Sequence, residues 1–339
     1  MENIYNLTKK DLINYLESIN EKKYRAEQIF CWLYEKRVSD FSLMTDLSDK
    51  LREELKKSFY IYRPTIEKLE KDTDVNKYLF KLEDSNHIEA VLMKHDYGLS
   101  LCISSQVGCN MGCTFCESGR LKKVRDLSAG EMISQILVAE EDIKARISHV
   151  VVMGIGEPFD NFSNLVKFIS IANDNKGLNI GARHITVSTS GVIPKIYEFA
   201  SLPYQVNLAI SLHASNDDLR TKLMPINKVY KLDDLIVAVK DYIDKTNRRV
   251  TFEYIMIDGI NDRDIDAKNL AKLLKGLNCY INLIPYNESS NILYKRSKKN
   301  TILRFYDIIK KEGMNVTIRR EFGSKISAAC GQLRAKKEE

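Results

Sequence analysis

The chain has 339 residues, 29% of them charged and 44% hydrophobic, which suits one large core or a core with a small additional domain. Seven cysteines, three of them crowded together, argue against a disulfide scaffold, and the charged N-terminus and lack of a long apolar run predict a cytoplasmic protein without a membrane span. The net charge of +6 is concentrated in residues 290–339, where thirteen Lys plus Arg oppose five Asp plus Glu, and such an end can face phosphates.

The N-terminal part of the chain predicts a small, self-contained helical domain. Thr8 followed by Asp11 is typical of a helix N-cap with an acidic residue in the first turn. Two more helices are expected near residues 25–36 and 48–58. Trp32 can stack on a nucleic-acid base, but a tryptophan in a small helical domain is more often part of the core.

The next segment, residues 61–98, is predicted to be a β-rich linker. It contains two strand-like runs, at residues 77–82 and 88–94. Glu89 lies in the second run. Because an acidic residue on a strand usually faces solvent, the pattern alone assigns no function to Glu89.

From residue 99 onward, strand-like and helical patterns alternate, which predicts an α/β fold with a mostly parallel sheet. We expect this sheet to be open or curled into a full or partial barrel, with functional groups at the carboxyl ends of its strands. The predicted strands are 99–105, 147–153, 184–188, 206–212, 250–257, 279–284 and 315–319, and the predicted helices are 128–142, 162–173, 233–245, 264–276 and 300–312. The expected divisions of the chain are a helical domain (1–60), the linker (61–98), the α/β core (99–320) and a C-terminal loop (321–339).

Three cysteines with C-x3-C-x2-C spacing follow the first strand of the core. Thiolates of Cys109, Cys113 and Cys116 are soft ligands suited to zinc or to an iron–sulfur cluster. Three ligands are one fewer than a structural zinc or an ordinary cluster requires, so a cluster held this way keeps one iron open to a small molecule. The alternative is a zinc site with a fourth ligand from elsewhere, but the five histidines are isolated and form no finger pattern.

Polar groups follow several other predicted strands of the core. After the second strand, Gly154 to Pro158 form a G-x-G-E-P turn, in which glycines permit close approach of a ligand and Glu157 can accept hydrogen bonds from an amine. Hydroxyl groups at residues 188–190 and polar residues at 211–213 and 285–287 follow the next strands. Together these groups predict a cradle for a nucleoside that bears an amino acid.

The cysteine spacing followed by G-x-G-E-P resembles the radical S-adenosylmethionine (SAM) superfamily. Three segments narrow the resemblance to the RlmN/Cfr family of ribosomal-RNA adenine methyltransferases: Leu101–Cys109 (LCISSQVGC), Leu223–Asn227 (LMPIN) and Ala328–Leu333 (AACGQL). The match covers nearly the whole chain, although residues 117–126 depart from the commoner small-residue form. It implies a partial (β/α) barrel radical-SAM core with a small helical N-terminal domain that binds RNA.

The resemblance also implies cofactors and site residues. The cofactors are a [4Fe–4S] cluster, whose ligands match Cys109, Cys113 and Cys116, and SAM, of which two molecules are used per turnover. The amine and carboxylate of SAM bind the open iron. The matched cofactor-binding residues are Gly156, Glu157, Ser188, Ser211, Leu212, His213 and Asn287.

The resemblance assigns three residues to the transfer of the methyl carbon. Cys330 matches the methyl-carrying cysteine, Cys102 the cysteine that resolves an enzyme–RNA adduct by forming a disulfide, and Glu89 a proton acceptor. A thiolate carrier is needed because the C2 carbon of adenine is too electron-poor to attack SAM directly. Considered without the resemblance, Cys102 is equally compatible with a buried strand cysteine.

The substrate implied by the resemblance is 23S rRNA in a protein-poor assembly precursor, methylated on C2 of adenine 2503 in the peptidyl-transferase centre. Transfer RNA, at adenosine 37, is a second candidate substrate, and an external electron donor is required. The alternative product is C8-methyladenine, as made by Cfr proteins, but Pro158 favours C2. Alternatives from other classes are a different radical SAM enzyme, such as an activase, and an RNA-binding module with structural zinc.

Several basic residues are candidates for contacts with the phosphates of the RNA. They are Lys122, Lys123, Arg125, Arg248, Arg249, Lys295–Lys299, Arg319 and Arg320.

Overall fold

A computed structural model describes residues 1–289, 292–320 and 331–333 of the chain. Its strands are β1 (Glu2–Asn3), β2 (Phe59–Tyr60), β3 (Thr65–Asp72), β4 (Val75–Lys81), β5 (His87–His95), β6 (Gly98–Ile103), β7 (Gln106–Val107), β8 (Arg125–Asp126), β9 (His149–Val152), β10 (Ile185–Thr189), β11 (Asn207–Ser211), β12 (Val250–Met256), β13 (Cys279–Pro285) and β14 (Val316–Ile318). Its α-helices are α1 (Lys9–Ser18), α2 (Arg25–Phe30), α3 (Asp49–Ser58), α4 (Ala129–Ile143), α5 (Phe162–Asn173), α6 (Ile193–Phe199), α7 (Asp217–Leu223), α8 (Leu232–Thr246), α9 (Asp264–Leu274) and α10 (Lys299–Lys311).

The core is a sheet of parallel strands joined by crossover helices. Strands β6 and β9 to β13 lie side by side in chain order, and β14 adds a seventh parallel strand. Helices pack on the outer face; on α5, for example, Leu165, Phe168 and Ile169 are buried. The predicted partial (β/α) barrel is therefore confirmed. Helices α6 and α7 were not predicted.

The N-terminal helices α1 to α3 share the main hydrophobic core with the barrel. A capping box starts α1, because Thr8 accepts the Asp11 N–H (3.1 Å) and the Asp11 side chain accepts the Thr8 N–H (3.0 Å). Trp32 lies in a single π-helical turn, packs against the core and donates its indole N–H to Asp46. Its place in the structure is therefore that of a packing residue.

Segment 61–98 extends the parallel sheet with three antiparallel strands, β3 to β5. The sequence did not predict β3 (TIEKLEKD), whose polar residues lie on both faces. The expectation that Glu89 faces solvent is wrong, since its side chain is 3% exposed. Glu89 shares a face of β5 with Val91 and Met93, and this face is turned toward the interior of the partial barrel.

The sheet does not close between β14 and β3 in the described part of the chain, where the two strands stand at opposite ends of the sheet. Arg320 after β14 reaches Asp74, in the turn between β3 and β4, at 3.2 Å. This ion pair brings the two ends of the curved sheet together, so a shared interior lies between them. Among the described residues, no helix has the length and apolar character that crossing a membrane would require.

Candidate active site

The cysteine loop follows β6 and is closed by the short antiparallel pair β7 and β8. Gly108 has a φ of +76°, and a Cβ at this position would lie 2.1 Å from the carbonyl oxygen of Lys122, so the loop requires glycine here. Cys109, Cys113 and Cys116 all line one cavity at the carboxyl ends of the parallel strands. The structure therefore brings the three predicted ligands together.

Burial raises the pKa of all three thiols, that of Cys109 to about 12. Backbone N–H groups point at two of the sulfurs, from Met111 to Cys109 and from Ser118 and Gly119 to Cys116, and such donors stabilise thiolates. The donor set therefore fits a cationic centre that replaces the thiol protons.

Within residues 1–289, 292–320 and 331–333, no group of three His, Cys, Asp or Glu converges closely enough to hold one metal ion. A [4Fe–4S] cluster is ligated differently, because each cysteine binds a different iron atom. Its three cysteine ligands therefore need not converge on one point. Cys113 and Cys116 also pack against a small apolar cluster that includes Phe115, Met224 and Ile284. This apolar wall limits water near the sulfurs.

Three residues of the G-x-G-E-P turn, Gly154, Gly156 and Glu157, line the same cavity. Gly156 has a φ of +109°, and a Cβ there would lie 2.6 Å from Cβ of Gln106. Glu157 is 3% exposed and accepts hydrogen bonds from the Ser190 N–H and hydroxyl (2.7 Å each) and from the Phe159 N–H (3.0 Å). Burial raises the pKa of Glu157 although these donors oppose the shift. A carboxylate fixed in this way can bind an ammonium group entering the cavity.

The predicted hydroxyl residues lie on the floor of the same cavity. Ser188 is the penultimate residue of β10 and Ser211 is the last residue of the neighbouring strand β11; both line the cavity, and their Oγ atoms are 3.5 Å apart. Leu212 packs its side chain into the main core, and Asn287 is not among the described residues that line the cavity. The roles of these residues in cofactor binding stay predictions.

His213 presents a neutral imidazole to the cavity. Its φ is +59°, its Nδ1 accepts the Ile255 N–H at 3.1 Å, and its ring meets the edge of Phe115 at 4.9 Å. Burial and the nearby Arg220 charge lower the pKa of His213 to about 3. The proton of the neutral ring therefore lies on Nε2, which makes His213 a hydrogen-bond donor at physiological pH.

Arg220 is a site residue that the sequence analysis missed. It is 0% exposed and donates to the carbonyl oxygens of Ser190 (2.6 Å), Ser211 (3.2 Å) and Leu212 (3.3 Å). These carbonyls belong to the two loops that carry the predicted cofactor-binding hydroxyls. Arg220 therefore holds both loops together, and its charge also lies near Cys113. Burial lowers the pKa of Arg220 to about 10.

Replacing Arg220 with methionine is expected to lower the free energy of unfolding by about 3–5 kcal/mol, because several buried carbonyls lose their donor. Urea unfolding followed by circular dichroism measures the loss. Arg220→Lys should recover part of it, since one ammonium cannot replace the guanidinium fork. The exposed Lys222 of α7, replaced with methionine, is the control. A loss below about 1 kcal/mol for Arg220→Met would contradict this role.

Cys102 and Glu89 both face the barrel interior. Cys102 pairs with Val91 on one side and with Val151 on the other. Cys102 and Val151 both pack against a buried cluster that contains Val91 and Leu333. Leu333 also lines the cysteine cavity. The structure therefore places Cys102 and Glu89 on the strands that border the cavity, on their interior face.

Cys330 lies outside the described residues, but the segment that directly follows it is anchored beside the cysteine loop. The carbonyl of Gly331 accepts the N–H of Glu117 at 2.8 Å, and the carbonyl of Leu333 accepts the Ser118 hydroxyl at 2.7 Å. Glu117 directly follows Cys116, and its carboxylate also accepts the hydroxyl of Ser289. The six cysteines that the structure describes are free thiols.

Comparisons with known proteins support the same assignment. Residues 2–61 match the family model described as the ribosomal RNA large subunit methyltransferase N-terminal domain, and residues 103–271 match the radical SAM superfamily. A protein of Enterococcus faecalis named probable dual-specificity RNA methyltransferase RlmN is 53% identical, over 99% of this chain and 96% of its own length. A protein of the same name from Geobacillus thermodenitrificans is 53% identical, over 99% and 93%.

A solved structure is similar over the same extent. The crystal structure of a radical SAM methyltransferase from Sphaerobacter thermophilus matches with a TM-score of 0.93 and 42% identity, and covers 99% of this chain and 100% of that one. The resemblance seen in the motifs is therefore confirmed by both sequence and fold. Since relatives above 50% identity extend over almost its full length, this chain belongs to the RlmN family of radical SAM RNA methyltransferases.

Proposed function

We propose that this chain methylates C2 of an adenine in the peptidyl-transferase centre of 23S rRNA, with Cys330 as the methyl carrier. The observation that carries the proposal is the anchoring of Gly331 and Leu333 beside the cysteine loop, in the same interior that Cys102 and Glu89 face. A radical SAM enzyme without a methyl carrier has no need of Cys102 and Cys330 in addition to its three cluster ligands. This distinguishes the proposal from the activase alternative.

The cofactors of the radical SAM superfamily are a [4Fe–4S] cluster and SAM, and the residues of the cavity fit both. Cys109, Cys113 and Cys116 would hold the cluster, which supplies the electron that cleaves SAM reductively. Glu157 would bind the methionyl amine of SAM. Ser188 and Ser211 offer hydroxyls to the carboxylate or the ribose, and the Nε2–H of His213 offers a donor.

In the proposed reaction, the chain's own residues carry and release the methyl carbon. The Cys330 thiolate takes a methyl group from one SAM molecule. A second SAM molecule, cleaved reductively, would supply the radical that removes one hydrogen atom from this methyl group. Once the carbon has bonded to C2 of adenine and one electron has returned to the cluster, Glu89 accepts the ring proton. The Cys102 thiolate then attacks the sulfur of Cys330, so that an S–S bond forms as the bond from this sulfur to the transferred carbon breaks. The freed carbon takes up a proton to become the methyl group of the released RNA, and the Cys102–Cys330 disulfide remains to be reduced. An external electron donor is therefore part of the proposal.

The names of the relatives favour C2 over the C8 alternative, because they belong to RlmN proteins, and Pro158 in the G-x-G-E-P turn agrees. "Dual-specificity" in those names favours transfer RNA as a second substrate. Because a base inside folded RNA is out of reach, the ribosomal substrate is proposed to be a protein-poor precursor in the cytoplasm, with its adenine extruded into the barrel.

Mass spectrometry of 23S rRNA and tRNA nucleosides tests this proposal. RNA from cells with the protein should contain 2-methyladenosine at the target position, and RNA from cells without it should lack this nucleoside. A strain that carries the Cys330→Ala variant is the matched control and should resemble the deletion. Detection of 8-methyladenosine instead would identify a Cfr-like enzyme, and no change in any adenosine would contradict methylation of these RNAs.

A further inference from the structure

Lys77 forms a buried ion pair with the residue proposed as the base. Its Nζ lies 2.9 Å from Oε1 of Glu89, and the two residues are 8% and 3% exposed. Lys77 is on β4 and Glu89 on β5, on the face of the sheet that is turned toward the barrel interior. Neither the cluster ligation nor the SAM contacts proposed above use Lys77.

Lys77 lies in a transverse row of residues that leads to the thiol proposed to resolve the adduct, and Glu89 lies two residues away from this row along β5. Register places Glu70 of β3 beside Lys77, Lys77 beside Val91, and Val91 beside Cys102. Because neighbouring strands are about 4.8 Å apart, the backbones of Lys77 and Cys102 are about 10 Å apart. Lys77 and the thiol proposed to resolve the adduct therefore lie on strands with only β5 between them, and β5 carries the carboxylate that the ammonium contacts.

The backbone around Glu89 is also fixed to the cofactor cavity. The Ser104 hydroxyl donates to the carbonyl of Glu89 at 2.6 Å and accepts the Ile155 N–H at 3.0 Å. Ile155 lies inside the G-x-G-E-P turn. The backbone of Glu89 is thus connected through Ser104 to the turn that lines the cavity, and its carboxylate is held by Lys77.

A carboxylate placed in a dry interior costs much free energy unless a cation compensates its charge. We propose that Lys77 is a positioning residue for the base: it compensates the charge of Glu89 and holds the carboxylate, through Oε1, where it can take the ring proton of the enzyme–RNA adduct. This inference rests on the proposed function. A lysine suits this positioning role because its ammonium is a compact charge that contacts the carboxylate of Glu89 at one oxygen, Oε1.

The experiment measures the covalent enzyme–RNA adduct on a denaturing gel after single-turnover reaction of the full-length holoenzyme with an rRNA fragment. Wild type should release methylated RNA and leave little adduct. Glu89→Gln should accumulate adduct, which establishes the base independently of Lys77. Lys77→Met should also accumulate adduct, with resolution slowed on the order of 100-fold, the size of effect that proton transfer by a positioned group has. Lys77→Arg, which keeps the charge, should recover most of the rate.

Two matched controls separate positioning from general damage. Lys81→Met removes an exposed lysine from the same strand, and Glu70→Gln removes the outer partner of Lys77, 3.6 Å away, without touching Glu89. Both should resolve the adduct at nearly the wild-type rate. The inference is overturned if Lys77→Met resolves its adduct normally, or if it loses activity without accumulating adduct, because a structural role alone gives that result. If Glu89→Gln also accumulates no adduct, the proposed base is wrong and the role of Lys77 falls with it.

Discussion

Replacement of Cys330 with alanine is expected to abolish methylation of RNA while cleavage of SAM to 5′-deoxyadenosine continues. The methyl group then has no thiolate to accept it, whereas the cysteine loop and the Glu157 turn are unchanged. We expect methyl transfer to fall by more than about 1000-fold, as when a nucleophile is removed from an enzyme that uses covalent catalysis. Chromatography of 5′-deoxyadenosine and mass spectrometry of the RNA, measured on one reaction, give both quantities.

The control for this experiment is Cys31→Ala, since Cys31 is a half-buried thiol in the helical domain that contacts Glu35 and lies far along the chain from the cysteine loop. This variant should methylate RNA like wild type. Methylated RNA from the Cys330→Ala enzyme at a normal rate would show that another atom carries the methyl group. Loss of both products would point instead to a role for Cys330 in forming the cavity.

Replacement of Cys113 with alanine is expected to remove the iron–sulfur cluster. Anaerobically purified wild type should be brown and contain about four irons per chain, because three thiolates can hold a cubane. The variant should be colourless, and it should form neither 5′-deoxyadenosine nor methylated RNA. Metal analysis by mass spectrometry and the visible absorption spectrum provide the measurement.

Cys279→Ala is the matched control, because Cys279 is also buried but lies at the start of β13, at the other end of the strand from the cavity. It should retain the irons. A colourless, zinc-loaded wild-type protein would favour the alternative of an RNA-binding module. Equal iron content in the Cys113 variant and in wild type would remove Cys113 from the ligand set.

The parallel strands and longer crossover helices could be predicted because their signals are local. Helix α5 falls on the predicted residues 162–173, since its apolar side chains recur at helical spacing over three turns. Helices α6 and α7 have seven residues each, too few for such a pattern to stand out. Strand β3 was not predicted for a different reason: it has polar residues on both faces, so its sequence lacks the alternation of apolar and polar residues that indicates a strand.

The site could be predicted in part, for the same physical reason. Cysteine spacing and the glycine turn are contiguous, so the sequence displays them directly. The burial of Glu89 depends instead on how β3 and β4 extend the sheet, and its pairing with Lys77 joins residues on different strands. Arg220 likewise contacts carbonyls from two distant loops. Contacts of this kind have no signature within a single stretch of sequence.

The antiparallel strands β3 to β5 and the anchored segment near Gly331 both lie outside the part of the chain that matches the radical SAM superfamily. All three cysteines of the loop fall inside the segment shared with the radical SAM superfamily, residues 103–271, whereas Glu89, Cys102 and Cys330 all fall outside it. The segment that holds the cysteine loop is therefore flanked, from both ends of the chain, by residues that the superfamily model does not cover. A fragment cut to residues 103–271 would keep the three cysteines and Glu157, but it would lose β13, β14 and nearly all of β6, together with the three residues proposed to move the methyl carbon.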